Sequence, residues 1–134
     1  MTHDHFTLLL ETTASQPEPQ RLLFVFAATE LPDNPTAEQQ ARFAEGRGGA
    51  LTPLMCVDKA PAELAGFDAL RSESDRAGPP WDVVFAAALS GADGKPPAKG
   101  RVDGALEMMV DAVRMGGVGR FAAYGRTGEP LLFE

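Results

Sequence analysis

Cys56 is the only cysteine of the chain, and it stands two residues before Asp58 in the run ALTPLMCV at residues 50–57. A thiolate near a strand end, its pKa drawn down by the start of a following helix, is a nucleophile or a redox sensor. Nucleophilic catalysis also requires a base that takes the thiol proton. The two histidines, His3 and His5, lie at the extreme N-terminus, far along the chain from Cys56. The plainer reading makes Cys56 a small buried hydrophobe on a strand, because free cysteine is among the most buried residue types. No residue is therefore assigned a catalytic role, and Cys56 and Asp58 are the candidates carried forward.

A second group sits where strand-like runs end: Glu30, Asp58 beside Lys59, and Ser90 followed by Asp93. Ligands of open α/β sheets gather beyond the carboxyl ends of the strands. If these runs pair in parallel, Glu30, Asp58, Ser90 and Asp93 meet on one rim as a ligand-binding set. Convergent acids there could hold a divalent cation through oxygen ligands. The plainer reading has them capping turns and helices.

His3-Asp4-His5 offers at most two ring ligands, short of four-coordinate zinc. Neither a metal site nor a cofactor is expected. Of the three glycine clusters, GRGG at 46–49 and GGVG at 116–119 precede strands and act as helix stops. Only GADG at 91–94 follows a strand, the polarity a phosphate cradle needs. Lys95, Lys99 and Arg101 make that loop basic, but it lacks the Gly-Lys-Ser/Thr ending.

The elements that must position these residues follow from periodicity. Phe6, Leu9, Leu10 and Thr13 fall on one helical face, although the threonines also allow a strand. Residues 21–29 (RLLFVFAAT) form a continuous apolar run, as expected of a strand covered on both faces. Thr36 and Gln39 resemble a capping box that opens a short helix. Pro53 places residues 50–57 at a sheet edge or a bulge. Pro61 suits the first turn of a helix with Leu64, Phe67 and Leu70 inward. Residues 81–89 (WDVVFAAAL) form a third strand, and 90–101 a Gly/Pro/Lys loop that reads as mobile.

Val102, Leu106, Met109, Val110 and Val113 then mark the clearest amphipathic helix, stopped by Gly116 and Gly117. Two short strands, 119–124 and 130–133, close the chain as a hairpin. The expected order is α-β-α-β-α-β-α-β-β: a single α/β domain over residues 1–134, with 1–4 frayed, built on a mixed sheet of about five strands. Its first strands pair in parallel.

The chain has 134 residues, 44% hydrophobic and 23% charged, which suits one globular domain. Nineteen acidic against twelve basic residues leave a net charge of −7. That balance argues against nucleic acid and against anionic membrane as partners. With one cysteine there is no internal disulfide, and a reducing, cytoplasmic setting is expected. Neither a leader peptide nor a membrane span is legible.

The segments PEPQRLLFVFA (17–27), GGALTPLMCVDK (48–59) and GPPWDVVFAAALSG (78–91) resemble a family of small bacterial proteins. Some members carry the label ribonucleotide reductase subunit alpha. That chemistry needs a thiyl-radical cysteine and a reducing cysteine pair, which Cys56 alone cannot supply. The resemblance therefore transfers no catalytic residue, and its only functional implication is an accessory role in nucleotide metabolism. The residues themselves favour a non-catalytic domain that binds a protein or small molecule and self-associates through the C-terminal hairpin. The alternative is a small enzyme working at the strand-end rim with Glu30, Asp58, Ser90 and Cys56.

Overall fold

The computed structural model describes residues 5–30, 36–44 and 50–132. His3 and Asp4, the GRGG cluster at 46–49 and the end of the expected last strand lie outside them.

The apolar run becomes β1 (Gln20–Glu30), the inner strand of a four-stranded sheet. Side chains alternate across it, so Leu22, Phe24 and Phe26 enter one core while Leu23, Val25 and Ala27 enter a second. On its flanks lie β2 (Ala50–Lys59) and β3 (Val83–Ser90), and β4 (Ala122–Tyr124) pairs with the far side of β3. The sheet order is β2-β1-β3-β4.

All three pairings are antiparallel, which corrects the expected parallel and mixed sheet. An unbroken apolar strand reports that both faces are covered and is silent on direction. Connections long enough for a helix permit parallel pairing without requiring it.

The first core lies under α1 (His5–Ala14) and α3 (Phe67–Ala77). Phe6 is its hub, with ring centroids 5.2 Å from Phe67 and 5.3 Å from Tyr124, both edge to face. Thr13, on the same helical face, is buried and donates its hydroxyl to the carbonyls of Leu9 and Leu10, both at 3.0 Å. Between β1 and β2 the chain forms α2 (Ala37–Ala44). A 3-10 turn at Pro61–Glu63 leads from β2 towards α3.

The second core lies under α4 (Lys99–Met115), which contributes Val102, Leu106, Met109 and Val113. Gly116 ends α4 at φ 80, its N–H directed to the carbonyls of Ala112 and Val113. The helix starts at Lys99, inside the segment expected to be loop, and a shaped turn precedes it. Asp93 and Gly94 both have positive φ, 55 and 75, in a tight turn bridging Ala92 and Lys95.

Two expectations change at the sheet edges. Among the described residues the closing hairpin has no fifth strand: β4 has three residues, and the returning chain makes one isolated bridge from Pro130 to Tyr124. Two backbone bonds flank that bridge: Gly125 N–H donates to the Glu129 carbonyl at 2.9 Å and Leu131 N–H to the Ala123 carbonyl at 2.8 Å. The edge expected to support self-association is therefore short and already bridged. At the other edge, β2 is both outermost and bulged. Phe26 pairs with Met55 but Ala27 pairs with Pro53, leaving Leu54 as the extra residue. Among the described residues no helix is long and apolar enough to cross a membrane.

Candidate functional site

Antiparallel pairing divides the predicted rim. Lys59 lies opposite Leu22 and Ser90 opposite Gln20, so β2 and β3 finish where β1 begins. Glu30 lies opposite Ala50, at the other end of the sheet, about 30 Å away at the usual rise per residue. Glu30 and Asp58 never meet.

The residues that do share an end hold the fold. Asp58 accepts from Arg21 Nε at 2.6 Å, and the same guanidinium reaches Glu63 Oε1 at 3.1 Å. Glu63 also accepts the Ala60 N–H at 2.8 Å. That backbone bond, helped by the nearby cations Arg21 and Lys59, draws the Glu63 carboxyl below its usual value, although some desolvation opposes it. The Arg21 guanidinium is raised, chiefly by its bond to Asp58. Ser90 Oγ accepts from Gln20 Nε2 at 3.0 Å and donates to the Gly91 carbonyl at 3.1 Å. Asp93 occupies the left-handed turn position. Among the described residues no three metal-ligating side chains converge.

The GADG loop is likewise committed. Its Gly94 N–H donates to Glu18 Oε2 at 2.8 Å, so a carboxylate of the chain itself holds the amide a phosphate would need. Lys99 pairs with Asp103 at 2.9 Å, and Arg101 donates to the Ser90 carbonyl at 2.7 Å.

Cys56 departs from the reading as a buried hydrophobe. It is exposed rather than buried, because β2 is an edge strand whose sheet partner covers only one side. Burial of part of the thiol, then the negative charges of Asp58 and Asp103, push its pKa up. A raised thiol is a poor nucleophile. His5 is no base for it: its Nδ1 lies 2.9 Å from the Tyr124 hydroxyl, on the face carrying α1.

What the structure does assemble lies along β2. Cys56 pairs with Val25 and so points to the α4 side, while Met55 pairs with Phe26 and points to the α3 side. On the α4 side a groove of about 530 Å³ runs between Cys56 and the helix, floored by Leu106 and Val110. Asp103, Glu107 and Asp111 rim it at i, i+4 and i+8. On the α3 side a cleft of about 270 Å³ is lined by Met55, Val57, Leu70 and Ala77, with Glu73 at its margin. Lys59 Nζ neutralises Glu73 at 2.6 Å. Among the described residues no strand pairs with the outer edge of β2. The spacing of the three acids was readable in the sequence, but nothing there said that they border an open strand.

A second polar cluster, also unforeseen, is structural. Arg126 grips Asp75 with two bonds of 2.9 Å, and its guanidinium carbon lies 4.5 Å from the centroid of the Trp81 ring. Trp81 Nε1 donates to Ser74 Oγ at 2.8 Å, which donates onward to the Arg71 carbonyl. Arg71 returns a bond to the Arg126 carbonyl at 2.8 Å, closing the C-terminal turn onto α3.

No protein family, no curated protein and no solved structure matches the chain. The likeness noted for residues 17–27, 48–59 and 78–91 rests on those segments alone.

Proposed function

We propose that this chain is a non-catalytic interaction domain that engages a protein partner along the open edge of β2. The observation that carries this reading is a contrast between two parts of the molecule. Among the described residues Glu30 is separated from Asp58, Asp58 and Ser90 are committed to hydrogen bonds, and His5 lies on the far face from Cys56, whereas no strand pairs with the outer side of the ten-residue β2, which runs between two clefts. An added strand gains main-chain hydrogen bonds at such an edge, and flanking clefts select its side chains. The acidic surface and the single unpaired cysteine fit a cytoplasmic setting.

The test is a panel of phosphoesters, carboxylic esters, nucleotides and redox cofactors offered to the purified protein. The expected result is no turnover. Turnover abolished by Ser90→Ala, Asp58→Asn or Cys56→Ser would overturn the reading in favour of an enzyme.

A further inference from the structure

The geometry points to an extended peptide segment with alternating basic and apolar side chains as the occupant of the β2 edge, its basic residues facing α4 and its apolar residues facing α3. This rests on the interaction-domain reading and specifies the partner's chemistry.

A strand laid against β2 must send successive side chains to opposite faces of the sheet. Here the two faces differ in kind. On one, the groove beside Cys56 has an apolar floor and the carboxylates of Asp103, Glu107 and Asp111 as its wall. On the other, the cleft of Met55, Val57, Leu70 and Ala77 is apolar, and its one acid, Glu73, is already paired.

The spacing agrees. Carboxylates four residues apart on a helix rise by about 6 Å, and alternate residues of a strand advance by about 6.6 Å. Successive basic side chains of the guest can therefore meet successive acids of α4. Among the described residues Glu107 has no ion-pair partner. Asp103 and Asp111 are held only by exposed neighbours on their own helix, Lys99 and Arg114, at 2.9 and 3.0 Å. Exposed pairs of that kind are weak and yield readily to a competing cation.

The same charges disfavour a second copy of this chain. Antiparallel pairing of β2 with its twin about an axis normal to the sheet puts both α4 helices on one face. Their acidic walls would then confront each other across the axis.

The probe is a short fluorescent peptide alternating lysine and valine, titrated into the full chain by anisotropy at low salt. Saturable binding is expected, with amide shifts in the NMR spectrum confined to Leu54–Lys59 and the facing side of α4. The same peptide N-methylated on alternate residues cannot form the ladder and should bind at least about tenfold more weakly. Replacing its lysines by glutamates should abolish binding. Glu107→Lys with Asp111→Lys, on exposed helix positions, should weaken binding about fivefold to tenfold while leaving the thermal melt unchanged.

Equal binding of the N-methylated peptide, or indifference to charge reversal on α4, overturns the proposal. So does a dimer at raised salt whose β2 amides are protected, because the occupant is then a second copy. No peptide binding together with no turnover removes this partner chemistry and leaves the interaction-domain reading intact. Turnover in the substrate panel removes that wider reading instead.

Discussion

The environment of Cys56 decides how the chain responds to thiol reagents. Its ionisation is opposed by partial burial and by two carboxylates, all of which favour the protonated thiol in the folded state. Above the ordinary thiol pKa the unfolded chain has lost this proton while the folded chain keeps it. Stability contributed at this site is therefore complete below that pKa and declines as pH rises through it. Iodoacetamide at pH 8 should accordingly alkylate Cys56 several-fold more slowly in the native protein than in urea, although the side chain is exposed. A native rate equal to or above the urea rate would show an activated thiol and revive a catalytic role. The sequence offered either a buried hydrophobe or a strand-end nucleophile. Neither reading described an exposed thiol with a raised pKa, because exposure and partial desolvation depend on strand order and packing, and only the smaller of the two carboxylate effects comes from afar, from Asp103, 47 positions further along the chain.

Among the elements, α1 depends most on one side chain. Phe6 is fully buried and touches the rings of Phe24, Phe67 and Tyr124, which lie on β1, α3 and β4. Phe6→Ala should cost about 3–5 kcal/mol, measured by urea unfolding, with amide exchange accelerated first along α1. A loss below about 1 kcal/mol would mean that the helix is held by other contacts. The inward face of this helix was readable from the spacing of Phe6, Leu9, Leu10 and Thr13. So was that of α4, from Val102, Leu106, Met109 and Val113 with Gly116 as its stop. Burial of β1 on both faces was equally plain in its unbroken apolar run. Strand direction was not legible, and with it went the rim: Glu30 and Asp58 share a residue type and a strand-end position but lie at opposite ends of the sheet. The fifth strand was over-read for a similar reason. Leu131 and Leu132 look like strand residues, yet among the described residues the returning chain makes a single bridge, Pro130 to Tyr124, flanked by the Leu131 N–H bond to the Ala123 carbonyl.

At the scale of the whole molecule, among the described residues one sheet edge is nearly closed and the other is open. The short β4 is bridged by Pro130, while among the described residues no strand pairs with the outer side of the ten-residue β2, which is interrupted by Pro53 and the bulge at Leu54. An uncovered strand is a template for further strands of any origin, including those of identical molecules. Pro53 removes a donor from that template, and the bulge breaks its flatness. Pro53→Val should therefore raise the rate of thioflavin-positive aggregation several-fold at neutral pH without lowering the melting temperature. Aggregation unchanged from the natural chain would show that the edge is guarded by something else.

Charge is the other guard. The molecule carries −7 at neutral pH and has a pI near 4.8, so mutual repulsion holds the open edges of neighbouring molecules apart and fades with mild acidification. The bulge beside Pro53 thus bears on the history of the protein in solution: it limits how far one molecule can serve as a seed for the next when that repulsion is gone.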